Sequence, residues 1–156
     1  MHVQREWSPN GVDRFYELLT LKPSYYNENG FFRCVPGFVI QFGINGDPTV
    51  SQAWEDKYIP DDPVVISNLL GTVAYASGGA NTRTTQIYIN LGDNSRLDAL
   101  GFTPFANITD GMATVMAINM QYGEDPDQGS IYQTGNPYLK ANFPNLDYVT
   151  YTTLSV

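Results

Sequence analysis

Thiol, imidazole and positive charge are all scarce in this chain, and each scarcity removes a class of function. The single cysteine, Cys34, has no partner for an internal disulfide. The single histidine, His2, sits beside the start, so a zinc site of Cys and His ligands is excluded, as is any triad built on an internal His. Eight Lys and Arg face sixteen Asp and Glu, for a net charge of -8 and a pI near 4.3. The basic residues are scattered singly from Arg5 to Lys140, which argues against binding nucleic acid or an anionic membrane. An acidic surface of this kind serves solubility. No apolar run approaches the ~18 residues of a membrane span. The start, MHVQREW, lacks the apolar core of a signal peptide, so the expected compartment is cytoplasmic, or another reducing space, unless a targeting segment precedes it.

What is present is a core. Hydrophobic residues make up 42% of the 156 residues and aromatics 13%, and no low-complexity stretch or charge block marks a linker, so residues 1–156 read as one domain. A monomer is the expected state, although the sequence does not itself disclose it. Val12, Phe15, Leu18 and Leu19 recur at helical spacing within Asn10–Thr20, after a Ser8-Pro9 start. A second helical window runs over Asp110–Asn119 with Asp110 placed to cap it, and a short third turn over Pro137–Asn142. The remaining pattern is of short strands: Val3–Trp7, Phe31–Cys34, Phe38–Phe42, Gly71–Ala76, Thr85–Ile89, Ala106–Ile108 and Val149–Val156. Turn clusters NENG, NGDP, SGGANT and GDNS separate them, the spacing of an antiparallel barrel or sandwich. Two helices with about seven strands predict a closed barrel capped at its ends, because closure removes exposed strand edges.

Two segments rich in Asp, YIPDDP over Tyr58–Pro63 and GEDPDQG over Gly123–Gly129, read as surface loops with solvated carboxylates. Neither has the glycine and terminal Glu in register that a calcium loop requires. A phosphate cradle is unsupported, since no strand-GxGxxG-helix arrangement occurs.

The segment Phe31–Gly43, FFRCVPGFVIQFG, resembles the signature of cyclophilins, in which F-x-R is followed by two apolar residues, P-G-F, and a Gln. GTVAYASGGANTRTTQIYI from Gly71 to Ile89 resembles that family's strand, glycine-rich loop and strand. LDALGFTPFANITDGM from Leu97 to Met112 resembles the block leading into its second helix. The flanking REWSPNGVDRFYELL and FPNLDYV are similar to bacterial-type members, so the resemblance spans essentially the whole chain. It implies a mainly β fold: a closed, antiparallel, eight-stranded barrel capped by two α-helices, here with the family's first strand missing.

The resemblance also implies a function: peptidyl-prolyl cis-trans isomerisation in protein folding, on proline-containing peptides and proteins, with no cofactor and no metal. Arg33 would be the catalytic hydrogen-bond donor to the prolyl nitrogen, with Gln41 holding the arginine or the substrate carbonyl. Phe38, Val39, Tyr88, Leu97 and Phe102 would line the proline cup. Ala76 and Ser77 would pair with the substrate chain, with Gln86 beside them. Thr82 and Thr85 would gate a pocket for a residue upstream of proline. Several family residues are replaced: Phe32 stands for a His, Val39 for a Met, Ser77 for an Asn and Tyr88 for a Phe. Arg96 stands where many members carry the Trp associated with tight cyclosporin binding, and Phe102 falls near a usual His, so cyclosporin is expected to bind weakly. The competing expectation is a proline-peptide binding module or scaffold with low turnover.

Overall fold

A computed structural model describes residues 1–155, and within it the apolar stripe Phe15 and Leu18 is buried on helix α1, Pro9–Thr20. Proline occupies the first helical position, where its missing N–H is no loss. Ser8 does not cap this helix with its own side chain. Its hydroxyl donates instead to Oδ2 of Asp62 (2.6 Å), and the Asp62 carboxylate accepts from the backbone N–H groups of Asn10 (3.2 Å) and Gly11 (3.0 Å). The cap therefore comes from a distant loop. Asp62 is buried and paired with an equally buried Arg83 at 3.0 Å. This corrects the reading of YIPDDP as a solvated loop: one carboxylate is drawn inside because four donors converge on it.

Six strands form one antiparallel sheet: β1 His2–Val3, β2 Arg33–Val35, β3 Val39–Phe42, β4 Thr72–Tyr75, β5 Ile87–Asn90 and β6 Pro104–Asn107, in the order β1-β6-β4-β5-β3-β2. Neither a closed barrel nor eight strands is found among the described residues. β1 offers only two residues, since Gln4–Trp7 turns away with Trp7 N–H bonded to the Gln4 carbonyl. At the opposite edge, the Cys34 N–H of β2 is taken by the Gly123 carbonyl. The expected strand Val149–Val156 has no strand structure over its described part, and Val156 lies outside the described residues. Its start instead exchanges hydrogen bonds with the chain before β2: Glu28 N–H to Val149 O, and Val149 N–H to Asn29 O.

The helices also outnumber the expected two. α2, Pro48–Trp54, follows Asp47, whose carboxylate accepts from Thr49 N–H, and it buries Ser51 and Trp54. The Asp-Pro pair inside NGDP is thus a helix start and not only a turn. The second expected helix shortens to α3, Met112–Met116, because Gly111 in the left-handed conformation (φ 83°) and not Asp110 stands at its N-cap. α4, Gln128–Thr134, is capped by Asp127 through Ser130 N–H, so the end of GEDPDQG is helical. α5, Asn136–Asn142, matches the expected third turn. Among the described residues no helix is long and apolar enough to cross a membrane.

Alternation along the strands separates core from site. Phe42, Val73, Tyr75, Ile87, Ile89 and Phe105 pack with Phe15, Leu18, Tyr25 and Tyr26 of the α1 side. Val39, Ala74, Tyr88 and Leu97 form a second cluster with Phe38, Ala76 and Phe102. Every residue of β3, β4 and β5 is buried, so the sheet is covered on both faces, by the α1 side on one and by Leu97 and Phe102 on the other.

Candidate active site

Pairing register sets Arg33 opposite Gln41, Gln41 opposite Tyr88, and Tyr88 opposite Ala74, one row across β2, β3, β5 and β4. Over that row lies a cavity of ≈ 170 Å³ lined by Arg33, Phe38, Val39, Gln41, Ala76, Ser77, Tyr88, Leu97 and Phe102. Such a volume is below the several hundred Å³ usual for whole small molecules and suits one side chain. Phe102 is there because the turn after the 3-10 helix Ser95–Leu100, with Gly101 left-handed at φ 85°, brings its ring edge-on to Tyr88 at 6.0 Å.

A continuous polar row runs from Arg33 and Gln41 of the lining to side chains outside the cavity. Arg33 Nη1 donates to Gln41 Oε1 (3.1 Å), Gln41 Nε2 to Gln86 Oε1 (2.8 Å), and Gln86 Nε2 to Gln128 Oε1 (3.1 Å) and to the Tyr132 hydroxyl (3.2 Å). On its other side Arg33 donates from Nε to Oε1 of Glu124 at 2.7 Å, with Nη2 2.6 Å from the same oxygen. Both arginines of the rim lie against the Phe38 ring, Arg33 at 5.7 Å and Arg96 at 4.8 Å from its centroid. Gly43 ends β3 with φ +110°, and a Cβ there would meet the Thr85 carbonyl oxygen at 2.5 Å, so glycine lets the backbone before Gln86 approach β3 closely.

Behind the apolar wall stands Asn68, fully buried. Its Oδ1 accepts from the Tyr88 hydroxyl (2.8 Å) and Asn90 Nδ2 (3.2 Å), while its Nδ2 donates to Asp98 Oδ1 (2.7 Å) and the Phe102 carbonyl (2.8 Å). Burial pushes the Tyr88 hydroxyl far above its ordinary range, with Asp98 adding to the effect, so it remains a neutral donor. For Asp98, burial acts upward but the donors of Asn68 and Ser67 outweigh it and hold the carboxyl below the usual range.

A second recess of ≈ 240 Å³ adjoins the first, lined by Gln41, Ala76, Ser77, Gly78, Thr82, Thr84, Gln86 and Gln128. Thr82 is held at its mouth by accepting from Gly78 N–H (2.9 Å) and donating to the Gly79 carbonyl (2.8 Å). Thr85 is not brought to either cavity: it is buried, and its hydroxyl donates to the Gly43 carbonyl (2.7 Å). Phe32 is also turned away, into a cluster with Ile44, Ile131, Leu139 and Leu146. A larger hollow of ≈ 680 Å³ between Leu21–Tyr25, Asn45–Asp47 and Asn136 shares no lining residue with the row.

The family model for "cyclophilin type peptidyl-prolyl cis-trans isomerase/CLD" matches residues 2–136. The chain belongs to this family. It is thereby an isomerase of the cyclophilin type, the class that the three sequence blocks resemble. Among its relatives is mouse peptidyl-prolyl cis-trans isomerase-like 3, 31% identical over 116 residues, which span 70% of this chain and 68% of the relative. A Schizosaccharomyces pombe peptidyl-prolyl cis-trans isomerase is 29% identical over 137 residues, 82% of this chain and 83% of that one. A Cryptosporidium parvum cyclophilin-type isomerase crystal structure shares the fold with a TM-score of 0.60 at 24% identity, over 74% of this chain and 73% of that one. The same cyclophilin, crystallised in the presence of the dipeptide Ala-Pro, gives 0.59 at 23% identity, over 74% of each chain.

Sequence reasoning missed Glu124, Gln128, Tyr132 and Asn68 in this cyclophilin. For Asn68 no local signal exists, because a buried Asn is recognised only once its four partners surround it. Glu124 and Gln128 sit in a segment whose composition is that of an exposed loop. The one available hint was the Asp127-to-Ser130 spacing of a helix start, which follows Glu124 and contains Gln128.

Proposed function

We propose that this isomerase accelerates rotation about Xaa-Pro bonds in protein clients by seating the proline ring on Phe38, Val39, Tyr88, Leu97 and Phe102, with Arg33 donating to the prolyl nitrogen. The observation that carries the reading is an arginine at the mouth of an apolar, proline-sized cavity, fixed on two sides by Gln41 and Glu124. Rotation is slow because the nitrogen lone pair is delocalised into the carbonyl, a barrier of about 18–20 kcal/mol. As the bond twists, the nitrogen becomes pyramidal and regains its lone pair, so a donor aimed there binds the transition state better than either ground state. Reaching on the order of 10² to 10³ turnovers per second requires removing roughly 6 kcal/mol. No proton need leave and no covalent bond need form. A guanidinium suits the task because it stays charged and its donors are fixed in a plane. The apolar cup excludes water and strengthens that bond.

The test is exchange spectroscopy on an Ala-Pro peptide with catalytic amounts of protein. Cross-peaks between cis and trans signals are expected, within tens of milliseconds. A second reading, a module that holds proline segments with low turnover, draws on Glu124 already engaging Arg33. Saturable binding of the peptide without exchange would establish it and overturn the first.

Drug recognition follows from the rim. Arg96 is exposed and lies on Phe38, offering a charge where an indole N–H would be needed. Cyclosporin is therefore expected to inhibit only far above stoichiometric concentration, measured by titrating activity against drug, and inhibition at one equivalent would contradict this.

A further inference from the structure

The polar row begins and ends in one stretch of chain. Glu124 engages Arg33 at one end, while Gln128 and Tyr132 receive Gln86 at the other, though Arg33 and Glu124 are 91 residues apart. That stretch is pinned to the body at several points. The Gly123 carbonyl accepts from Cys34 N–H (3.0 Å), beside Arg33, and Asp127 N–H donates to the Tyr138 hydroxyl (3.0 Å). Between them Pro126 is buried, and Asp127 caps α4. Glu124 is thus an exposed side chain on a fixed backbone, its carboxylate aimed at the edge of the guanidinium away from Gln41.

We infer that the segment Gly123–Tyr132 is a bracket for the catalytic row and that Glu124 is a positioning residue, setting the plane and azimuth of Arg33 without touching substrate. The physical reason lies in arginine's freedom. Gln41 alone, through one bond to Nη1, leaves the guanidinium able to pivot about that contact. A carboxylate against Nε and Nη2 adds contacts on another edge and removes the pivot, directing the unused N–H groups toward the cavity. Arg33 has only donors, so Gln41 must present its oxygen to it; the Gln41 amide then donates to Gln86, whose own amide is held by Gln128 and Tyr132. Preorganisation of this kind acts on the transition state, where misplacement of a donor by about 1 Å costs up to ~10²-fold.

This rests on the role given to Arg33, and the experiment separates the two. Steady-state isomerisation of one proline peptide is compared for wild type, Glu124→Ala, Glu124→Gln and Arg33→Ala, together with the Nε–H resonance of Arg33 in a nitrogen-proton correlation spectrum. Glu124→Ala is expected to lower kcat about tenfold with KM within twofold, and to broaden the Arg33 Nε–H signal by solvent exchange. Glu124→Gln keeps an acceptor for Nε–H and is expected to stay within about threefold of wild type with the signal retained. Glu124 is 60% exposed, so unfolding temperature should not move and loss of stability cannot imitate the result. A Glu124→Ala enzyme with full kcat and an unchanged Nε–H signal, beside an inactive Arg33→Ala, overturns the bracket alone. A Glu124→Ala enzyme faster than wild type also overturns it and makes the carboxylate a brake. Undiminished turnover in Arg33→Ala removes the catalytic reading beneath both.

Discussion

Replacing Arg33 by alanine is expected to reduce kcat for a proline-limited peptide by about 10²–10³-fold while the fold persists, the loss typical of removing one preorganised donor from a transition state. Peptide affinity should change far less, because the apolar residues proposed to seat the ring remain in place. Arg33→Lys sharpens the expectation. An ammonium keeps the charge, but its donors radiate from one atom and do not spread across a plane. It cannot meet Gln41, Glu124 and the substrate at once, so Arg33→Lys should recover little of the lost rate. The measurement is initial velocity across peptide concentrations, with circular dichroism as the check on folding. Rates equal to wild type in Arg33→Ala would remove the role assigned to this residue, and full activity in Arg33→Lys would reduce that role to bulk electrostatics.

The second large effect concerns stability. Asp62 and Arg83 have side chains only 4% exposed each, and Asp62 also accepts from Ser8 and from two backbone N–H groups at the start of α1. Asp62→Ala strands a buried guanidinium and uncaps a helix together, and should cost about 3–5 kcal/mol. For a chain of this length that is on the order of a 10 °C fall in unfolding temperature. A combined Asp62→Leu, Arg83→Met change removes both charges and should restore part of the loss, leaving about 1 kcal/mol for the missing cap. Burial alone would raise the Asp62 carboxyl, but the hydrogen bonds of Ser8, Gly11, Arg83 and Asn10 outweigh it and the group is held below its ordinary range. A depressed carboxyl contributes its stability fully above the unfolded-state value, about pH 4, and loses it as pH falls through the folded value. The gap between wild type and Asp62→Asn in urea melts should therefore narrow below about pH 4. A loss under 1 kcal/mol in Asp62→Ala at neutral pH would show that water replaces the carboxylate there.

These outcomes trace what a linear sequence can and cannot disclose. The row of Arg33, Gln41 and Tyr88 was legible only through the resemblance of FFRCVPGFVIQFG and the Gly71–Ile89 block to cyclophilins, and the strand pairing then sets the three side by side. α1 was legible from its apolar stripe. Closure of the sheet was not, since it depends on whether distant edges find each other, and here β1 is short while β2 is occupied by the Gly123 carbonyl. Asp62 looked like its neighbour Asp61, and only the tertiary position of Arg83 and the α1 terminus divides a buried cap from an exposed loop acid. Thr85 was placed at the rim by alignment, yet its hydroxyl is used up on the Gly43 carbonyl. Glu124, Gln128 and Tyr132 act across long stretches of chain, and no local period marks such partners.

The 91-residue separation between Arg33 and Glu124 also bears on synthesis. The ribosome delivers chain from the N-terminus at roughly 5–20 residues per second. Arg33, Gln41 and Gln86 are all exported seconds before the residues that hold them in line. A nascent chain stalled near Asn119 would carry every group that lines the proline cup and none of Glu124, Gln128 or Tyr132. On the bracket proposed above, emergence of Gly123–Tyr132 is the step that aligns the row, so that activity would await that segment's synthesis.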